Sequence, residues 1–456
     1  MSSPARPIMA GTRGAAPTSR FQSTGMRVLV IGSGGREHAL VWKLRQSARV
    51  RKVICVPGNG GIGRDVRCFP ISPLDFASLS ELVRKEQIDL VLVGPEAPLA
   101  AGLADHFAAE GTRVLGPCKD AARLESSKVF AKEFMARHGI PTAHFSIHRD
   151  PREALAVLDS RETRYPVVVK ADGLAGGKGV VVARTAEEAR DAVRRIMIER
   201  EFGRAGEQIV LEEFLEGTEA SFIVFTDGKT VLPAVLAQDH KAAYDGDRGP
   251  NTGGMGAYST DTLLAPDVRE QVLHSVVYPV IDGMNAEGTV FRGILYAGLM
   301  LTSAGPKVLE FNVRMGDPEA QVILPRLASD FGMLCEALCQ GRLVSYQASW
   351  RFAATVCVVL ASGGYPGAYE KGRSISGLEM AEEDKRIVIF HSGTRCENTG
   401  YVTDGGRVLG VTAVAEDLAS AVMAAYEAVN KVHFEGMHCR RDIGAKALHL
   451  FQGGFA

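Results

Sequence analysis

No stretch of the chain holds the roughly 18 consecutive apolar residues that a membrane-spanning helix needs, which excludes a helical membrane protein. An excess of charge of either sign is also missing. The 52 Lys and Arg against 53 Asp and Glu leave a net charge of −1, which argues against a protein built to coat nucleic acid or an anionic membrane. Cysteine is sparse for the length: eight in 456 residues, without the dense framework of a small secreted domain. Cys335 and Cys339 lie one helical turn apart, but no His or Cys cluster completes a zinc site. A reducing cytoplasm fits this usage. Residues 1–25 lack any acidic residue and carry Arg6, Arg13 and Arg20. They are expected to be a disordered extension ahead of Met26. Their composition also allows an organelle transit peptide, and they lack a secretory apolar core.

What the chain does have is glycine, 50 of them, in clusters rather than spread evenly. Glycine clusters mark places where backbone approaches a ligand. The length suits two to four domains. From Met26 the pattern alternates buried strands and helices: Val28–Ile31, Val53–Val56, Leu90–Val93 and Val114–Leu115, with helical stretches such as 36–46 and 75–86 between them. Alternating βα units predict a parallel sheet with helices on both faces over 26–125. A helix is expected over 127–138. A small α+β unit with a hairpin follows at about 140–215, within a central region 126–350. A last α/β domain covers 351–456.

Gly32-Ser33-Gly34-Gly35-Arg36-Glu37 follows a strand and opens a helix. A dinucleotide fingerprint would need glycine at 37 and an acid after the second strand, and neither is present. A phosphate at this helix N-terminus remains physically natural, because exposed N–H groups and the helix dipole both favour an anion. A tight turn without a ligand stays open. The segment 172–179, DGLAGGKG, is not a Walker A loop: Asp172 stands where the first glycine belongs, and Gly179 replaces the Ser or Thr that would meet magnesium. Set between two strands and carrying Lys178, it suits a flexible lid over a polyphosphate. Lys170, closing the preceding strand, is a second candidate cation.

Leu309 to Arg314 reads as a strand with period two. Glu310, Asn312 and Arg314 then share one face, and Phe311 and Val313 the other. A carboxylate beside an amide oxygen is a hard oxygen pair of the kind magnesium requires. Arg314 suits a carboxylate or phosphate. A solvated strand face with a salt bridge is the alternative. The acid-bearing Gly316–Glu319 turn and the long glycine-rich loop 245–258, preceded by Asp239, His240 and Lys241, read as site loops. His240, without a Cys or His neighbour, is expected to make an ordinary hydrogen bond.

These pieces together resemble one family. GSGGREHA (32–39), GPEAPL (94–99), SKVFAK (127–132), VVKADGLAGGKGV (168–180), EEFLEGTEAS (212–221), AQDHK (237–241), DGDRGPNTGGMGAYS (245–259), EFNVRMGDPEAQ (310–321), ASGGYPGAYEKG (361–372) and RDIG (441–444) are similar, in order, to the phosphoribosylamine–glycine ligases of the ATP-grasp superfamily. The resemblance implies an ATP-grasp centre with a mobile lid between the two flanking α/β domains. It also implies ligation of glycine to 5-phosphoribosylamine with ATP and Mg2+ (or Mn2+), without nucleic acid or membrane partners, by a monomer or weak homodimer.

By the same resemblance Lys128, Lys170, Lys178, Gly173, Gly176 and Gly177 would hold ATP phosphates. Glu212, Glu213, Phe214 and Leu215 would flank the adenine, and Glu219 would meet the ribose. Glu310 and Asn312 would bind the metal. Gly34, Gly35, Arg36, Glu37 and Glu96 would hold the phosphoribosyl group. Asp239, Lys241, Asn251, Gly253 and Gly254 would meet substrate, while Arg314, Lys170 and Asp317 would serve the chemistry. Met315, in place of an expected Phe, and Ser392, in place of an expected Ala, depart from the pattern.

Overall fold

A computed structural model describes residues 25–175, 179–398 and 400–448. Residues 1–24, and with them almost all of the Arg-bearing extension, lie outside these ranges. So do the lid positions Gly176, Gly177 and Lys178.

The first unit is a five-stranded sheet. Its strands are β1 (Met26–Gly32), β2 (Val50–Pro57), β3 (Arg67–Cys68), β4 (Leu90–Val93) and β5 (Arg113–Leu115), in the order β3-β2-β1-β4-β5 and all parallel. β1 and β4 are buried along almost their whole length, as expected of strands covered on both faces. The turn after β1 enters α1 (Gly35–Leu44), and the turn after β2 enters α2 (Gly60–Asp65), where the Asn59 side chain accepts the Ile62 N–H. Both helix N-termini therefore open at the carboxyl edge of the sheet, the usual place for ligands in such sheets.

The small α+β unit has β6 (Phe145–His148), β7 (Val167–Ala171), β8 (Val180–Ala183) and β9 (Ile209–Glu213), ordered β6-β9-β7-β8 and antiparallel. β7 and β8 form the expected hairpin around the glycine loop. The helix 186–193 continues into a single π-helical turn, Arg194–Ile198.

The chain then forms β10 (Thr218–Thr226) and β11 (Val231–Pro233). The glycine-rich stretch supplies β12 (Gln238–Asp239), β13 (Ala242–Tyr244), β14 (Arg248–Asn251) and β15 (Gly256–Ser259). β16 (Gly293–Thr302) and β17 (Gly305–Asn312) complete a four-stranded sheet, β11-β10-β16-β17. The register of β17 against β16 slips once, so that Glu310 faces Gly298 and Asn312 faces Tyr296 while Leu309 is left over as a bulge. Past that bulge the period-two reading holds: Phe311 and Val313 are buried in the core.

The last region contributes β18 (Ala354–Ala361), β19 (Ser374–Ile375), β20 (Ile387–His391), β21 (Thr394–Glu397), β22 (Gly400–Thr403) and β23 (Arg407–Ala415). Its main sheet runs β12-β15-β18-β23-β20 and so borrows two strands from the glycine-rich stretch. β12 and β15 precede the expected boundary near 350, so this sheet spans it. The helix Leu418–Val429 covers it with Leu418, Ala421, Ala425 and Val429.

Candidate active site

A cleft of about 370 Å³ lies where the first sheet, the small α+β unit, the β16–β17 hairpin and the C-terminal sheet meet. Three groups of charged side chains line it.

The first is a lysine end. Lys170, at the end of β7, has its Nζ 3.0 Å from Glu212 Oε1, and it donates to the carbonyl of the bulged Leu309 at 3.1 Å. Lys132 reaches Glu212 Oε2 at 3.0 Å and donates to Thr142 Oγ1 at 2.6 Å. One carboxylate thus lies between two buried ammonium groups, leaving an excess of positive charge. Burial, and then the charge of Lys170, push the Lys132 ammonium down to about 8. Lys128 opens the next-door helix Lys128–Arg137 and donates to Gly173 O at 3.1 Å. The root of the lid is tied to that helix start by Asp172, which accepts from Ser127 Oγ (3.0 Å), Val129 N (3.0 Å) and Gln208 Nε2 (2.6 Å).

The second group surrounds Glu310 and Asn312. Burial pushes the Glu310 carboxyl upward, but the positive charge of Lys241, Lys128, Lys170 and Arg314 outweighs it, and the carboxyl is held below its usual value. Arg314 Nη2 donates to Asn312 Oδ1 at 3.1 Å and lies 2.6 Å from Glu125 Oε1, with Glu96 Oε2 3.4 Å from Nε. Glu125 also accepts the Val313 N–H at 2.8 Å. Burial pushes the Glu125 carboxyl up, and Arg314 opposes that shift. Two adjacent oxygen ligands, a charge-neutralised surround and open cleft in front of them fit a hard divalent cation that takes its other ligands from water and phosphate. Among the described residues no cluster of three or more His, Cys, Asp or Glu forms a self-contained metal cage.

The third group joins the cradle to the C-terminal sheet. Gly34 N–H donates to Glu37 Oε2 at 2.6 Å, and Arg36 Nε donates to Glu37 Oε1 at 2.6 Å. Glu37 is thereby folded inward, against Gly94, where an added Cβ would stand 1.9 Å from Oε1. It fixes the turn and aims Arg36. Arg36 and Glu96 line the cleft, with Gly34, Gly35 and Glu37 forming the turn behind Arg36. Asp317 accepts from Gln321 Nε2 at 2.8 Å and pairs with Arg407 at 3.3 Å. Arg407 also donates to the carbonyls of Gly253 (2.5 Å) and Asp317 (2.8 Å), so a β23 residue pins the glycine loop to the Gly316–Glu319 turn.

Of the other expected residues, Asp239, Lys241, Gly173 and Gly253 line the cleft. Lys241 Nζ sits 3.1 Å from Glu219 and 4.0 Å from Glu310. Burial pushes the Asp239 carboxyl up to about 8 against the pull of Lys241, with Glu319, Glu219 and Glu310 adding to the rise. Gly254 lies beside Pro318, and Asn251 is exposed on the β13–β14 hairpin, away from the lining. Glu213 pairs with Lys307 at 3.0 Å, Phe214 is exposed, and Leu215 packs with Ala143 and Met300, and none of the three lines the cleft. His240 departs from expectation. It is 2% exposed and neither ring nitrogen has a hydrogen-bond partner among the described residues, because its backbone prolongs the β12–β15 pairing (His240 N–H to Gly256 O at 2.9 Å, Met255 N–H to His240 O at 2.8 Å) as part of the C-terminal sheet instead of staying in solvent. Met315 is buried in the core, and Ser392 Oγ lies close to Gly35.

Sequence reasoning missed Lys132, Glu125, Glu319 and Arg407. Lys132 was accessible: it lies four residues after Lys128, on the same helix face. Glu319, whose Oε1 accepts the Tyr296 hydroxyl at 2.6 Å, sat inside a recognised motif. Arg407 carries no local signal, because its partners are 90 or more residues away.

Comparison with known proteins places this geometry. The architecture is shared with a Campylobacter jejuni biotin carboxylase–beta-gamma-ATP complex (TM-score 0.69, 15% identity, 91% of this chain and 93% of that one), a likeness of fold alone. Family models described as the N domain, the ATP-grasp (A) domain and the C domain of phosphoribosylglycinamide synthetase match residues 26–125, 126–320 and 355–446. A phosphoribosylamine–glycine ligase of Allochromatium vinosum is 49% identical over 93% of this chain and 99% of its own length. A trifunctional purine biosynthetic protein of Gallus gallus is 50% identical over 92% of this chain and 42% of its own length. The crystal structure of the Thermotoga maritima phosphoribosylamine–glycine ligase superposes with a TM-score of 0.78 at 35% identity, over 92% of this chain and all of that one. The chain belongs to the phosphoribosylglycinamide synthetase family and, through its central domain, to the ATP-grasp ligases.

Proposed function

We propose that the cleft joins glycine to 5-phosphoribosylamine with consumption of ATP, giving glycinamide ribonucleotide, ADP and phosphate, as a step of purine biosynthesis. One observation carries the reading. A doubly lysine-flanked carboxylate (Lys170–Glu212–Lys132) and a doubly carboxylate-held arginine (Glu125–Arg314–Glu96) line the same cleft, with Glu310 and Asn312 also on its wall. This is machinery for positioning and neutralising phosphates, as phosphoryl transfer requires.

Lys128, Lys170 and the lid would hold the ATP phosphates. Glu310 and Asn312 would hold a magnesium ion, and manganese suits the same donors. Bound there, the ion would neutralise charge on the phosphate oxygens. Arg314, its guanidinium fixed by Glu125, orients the glycine carboxylate. A carboxylate oxygen bonds to the γ-phosphorus as the bond to ADP breaks. The amine of phosphoribosylamine then bonds to the acyl carbon, phosphate leaves, and the nitrogen loses its proton. Arg36 and the Gly34–Gly35 turn would receive the 5-phosphate at the start of α1. The free state of all eight thiols and the lack, among the described residues, of a helix able to cross a membrane support a cytoplasmic setting.

The test is ADP release by purified protein with ATP, magnesium, glycine and fresh phosphoribosylamine. Release is expected only with both substrates present. Release that ignores either one overturns the assignment.

A further inference from the structure

Two thiols stand side by side behind the phosphate cradle. Cys55 of β2 and Cys68 of β3 are direct register partners in adjacent parallel strands. Neighbouring strands lie about 4.8 Å apart, inside the Cα separation of about 4.4–6.8 Å that a disulfide spans. Both side chains belong to the same apolar cluster, so they share a face. β3 has two residues and is the sheet edge, which leaves it free to move by the fraction of an ångström that bond formation needs. Gly58 makes room for the pair, since a Cβ there would lie 2.3 Å from Cys68 Sγ. Cys55 is buried and Cys68 half-buried, so an oxidant meets Cys68 first. Burial pushes the Cys55 thiol up, and when its S–H turns from Gly32 O to Cys68 it lowers the Cys68 thiol, which favours the thiolate at the accessible position.

The pair is wired to the cradle. Cys55 Sγ donates to Gly32 O at 3.4 Å, and the same carbonyl accepts Gly58 N–H at 3.1 Å. One residue further on, the Asn59 amide donates to Ser33 O and to His391 O, both at 2.8 Å. Gly32 and Ser33 are the first residues of the cradle turn.

We propose that Cys55 and Cys68 form a redox-modifiable pair which a hydroperoxide converts to a disulfide, loosening the cradle turn at Gly32. The Cys68 thiolate attacks the O–O bond and becomes a sulfenic acid while the first oxygen leaves as hydroxide. The Cys55 sulfur then bonds to the Cys68 sulfur, the S–OH bond breaks, and the Cys55 proton leaves with that oxygen as water. In sum two thiols lose two hydrogens and one hydrogen peroxide becomes two waters, an organic hydroperoxide giving one water and one alcohol instead. The bond removes the S–H donor from Gly32 O.

The test uses the full chain, treated with hydrogen peroxide, alkylated and digested with trypsin. Cleavage separates Cys55 (peptide 53–64) from Cys68 (peptide 68–84). The expected result is these two peptides joined with loss of two hydrogens, separated again by dithiothreitol, and never joined in Cys68→Ser. Cys68 linked to another cysteine, or over-oxidised beside an alkylated Cys55, overturns the pair. The link to the cradle rests on the function proposed above and is read separately. Oxidised enzyme should show a KM for phosphoribosylamine raised about 2- to 10-fold, the span of one lost hydrogen bond, with that rise absent in Cys68→Ser. A joined pair with unchanged KM leaves the disulfide standing and overturns the coupling, and the peptide result does not depend on which substrate the enzyme uses.

Discussion

Replacing Glu125 by Gln isolates the charge that holds Arg314. The carboxylate is buried, lies 2.6 Å from Arg314 Nη2 and accepts the Val313 N–H at 2.8 Å. Removing one partner of a buried ion pair costs about 3–5 kcal/mol when the other charge is stranded. Arg314 is not stranded, because Glu96 remains at 3.4 Å and the new amide oxygen still accepts one bond. The loss should therefore approach that of one charged hydrogen bond, about 1.5–3 kcal/mol. If Arg314 orients the glycine carboxylate, that loss falls on the chemical step, and kcat drops about 10- to 100-fold, at about 1.4 kcal/mol per decade. The KM for ATP, governed by the lysine end, should hold. Steady-state ADP release with each substrate varied gives both constants, and a urea titration gives the stability of the same variant. Glu125→Asp, which keeps the charge, should recover part of kcat. A Gln variant that loses stability yet keeps wild-type kcat would refute a positioning role and leave Glu125 a purely structural ion.

Asn312→Ala should raise the magnesium concentration needed for half-maximal turnover, and unchanged magnesium dependence would remove Asn312 from the ligand pair. Gly94→Ala puts a Cβ 1.9 Å from Glu37 Oε1 and must displace it, so KM for phosphoribosylamine should rise with little change in that for ATP, measured by the same assay. Burial, then neighbouring positive charge, holds His240 down at about 4, and burial, then His38 and Arg64, holds His391 down at about 3. Both groups take up protons only on unfolding between those values and about 6.5, so stability is full above about 6.5 and is lost as pH falls through that window, by up to about 1.4 kcal/mol per pH unit for each. Urea midpoints should fall from pH 7 to pH 5, and less so in His240→Leu, which removes a ring whose nitrogens have no partner; an identical fall would exclude His240 as a source.

Much of the first sheet was legible because strands covered on both faces, such as Val28–Ile31 and Leu90–Val93, read as unbroken apolar runs. Glu310, Asn312 and Arg314 were legible because a strand's side chains alternate, and the bulge at Leu309 precedes them and so does not disturb their phase. Arg407 was invisible because its partners arrive only through the fold. Glu37 was visible only through the resemblance, and its bracing bonds to Gly34 N and Arg36 Nε carry no sequence signal of their own. His240 was misread because chain between strands is ordinarily solvated, and here it prolongs the β12–β15 pairing inside the C-terminal sheet.

The sharing of β12 and β15 with β18 sets an order of assembly. Residues 256–259 have no partner on their β18 side until residues 354–361 exist. A ribosome-bound chain that has completed every cleft residue up to Glu319 still has a slack glycine loop, and Arg407 is not yet there to pin it. Catalytic competence therefore arrives last, with the final quarter of translation. A chain ending near residue 350 would expose the bare edge of β15, a template for pairing between molecules, and should sediment as aggregate.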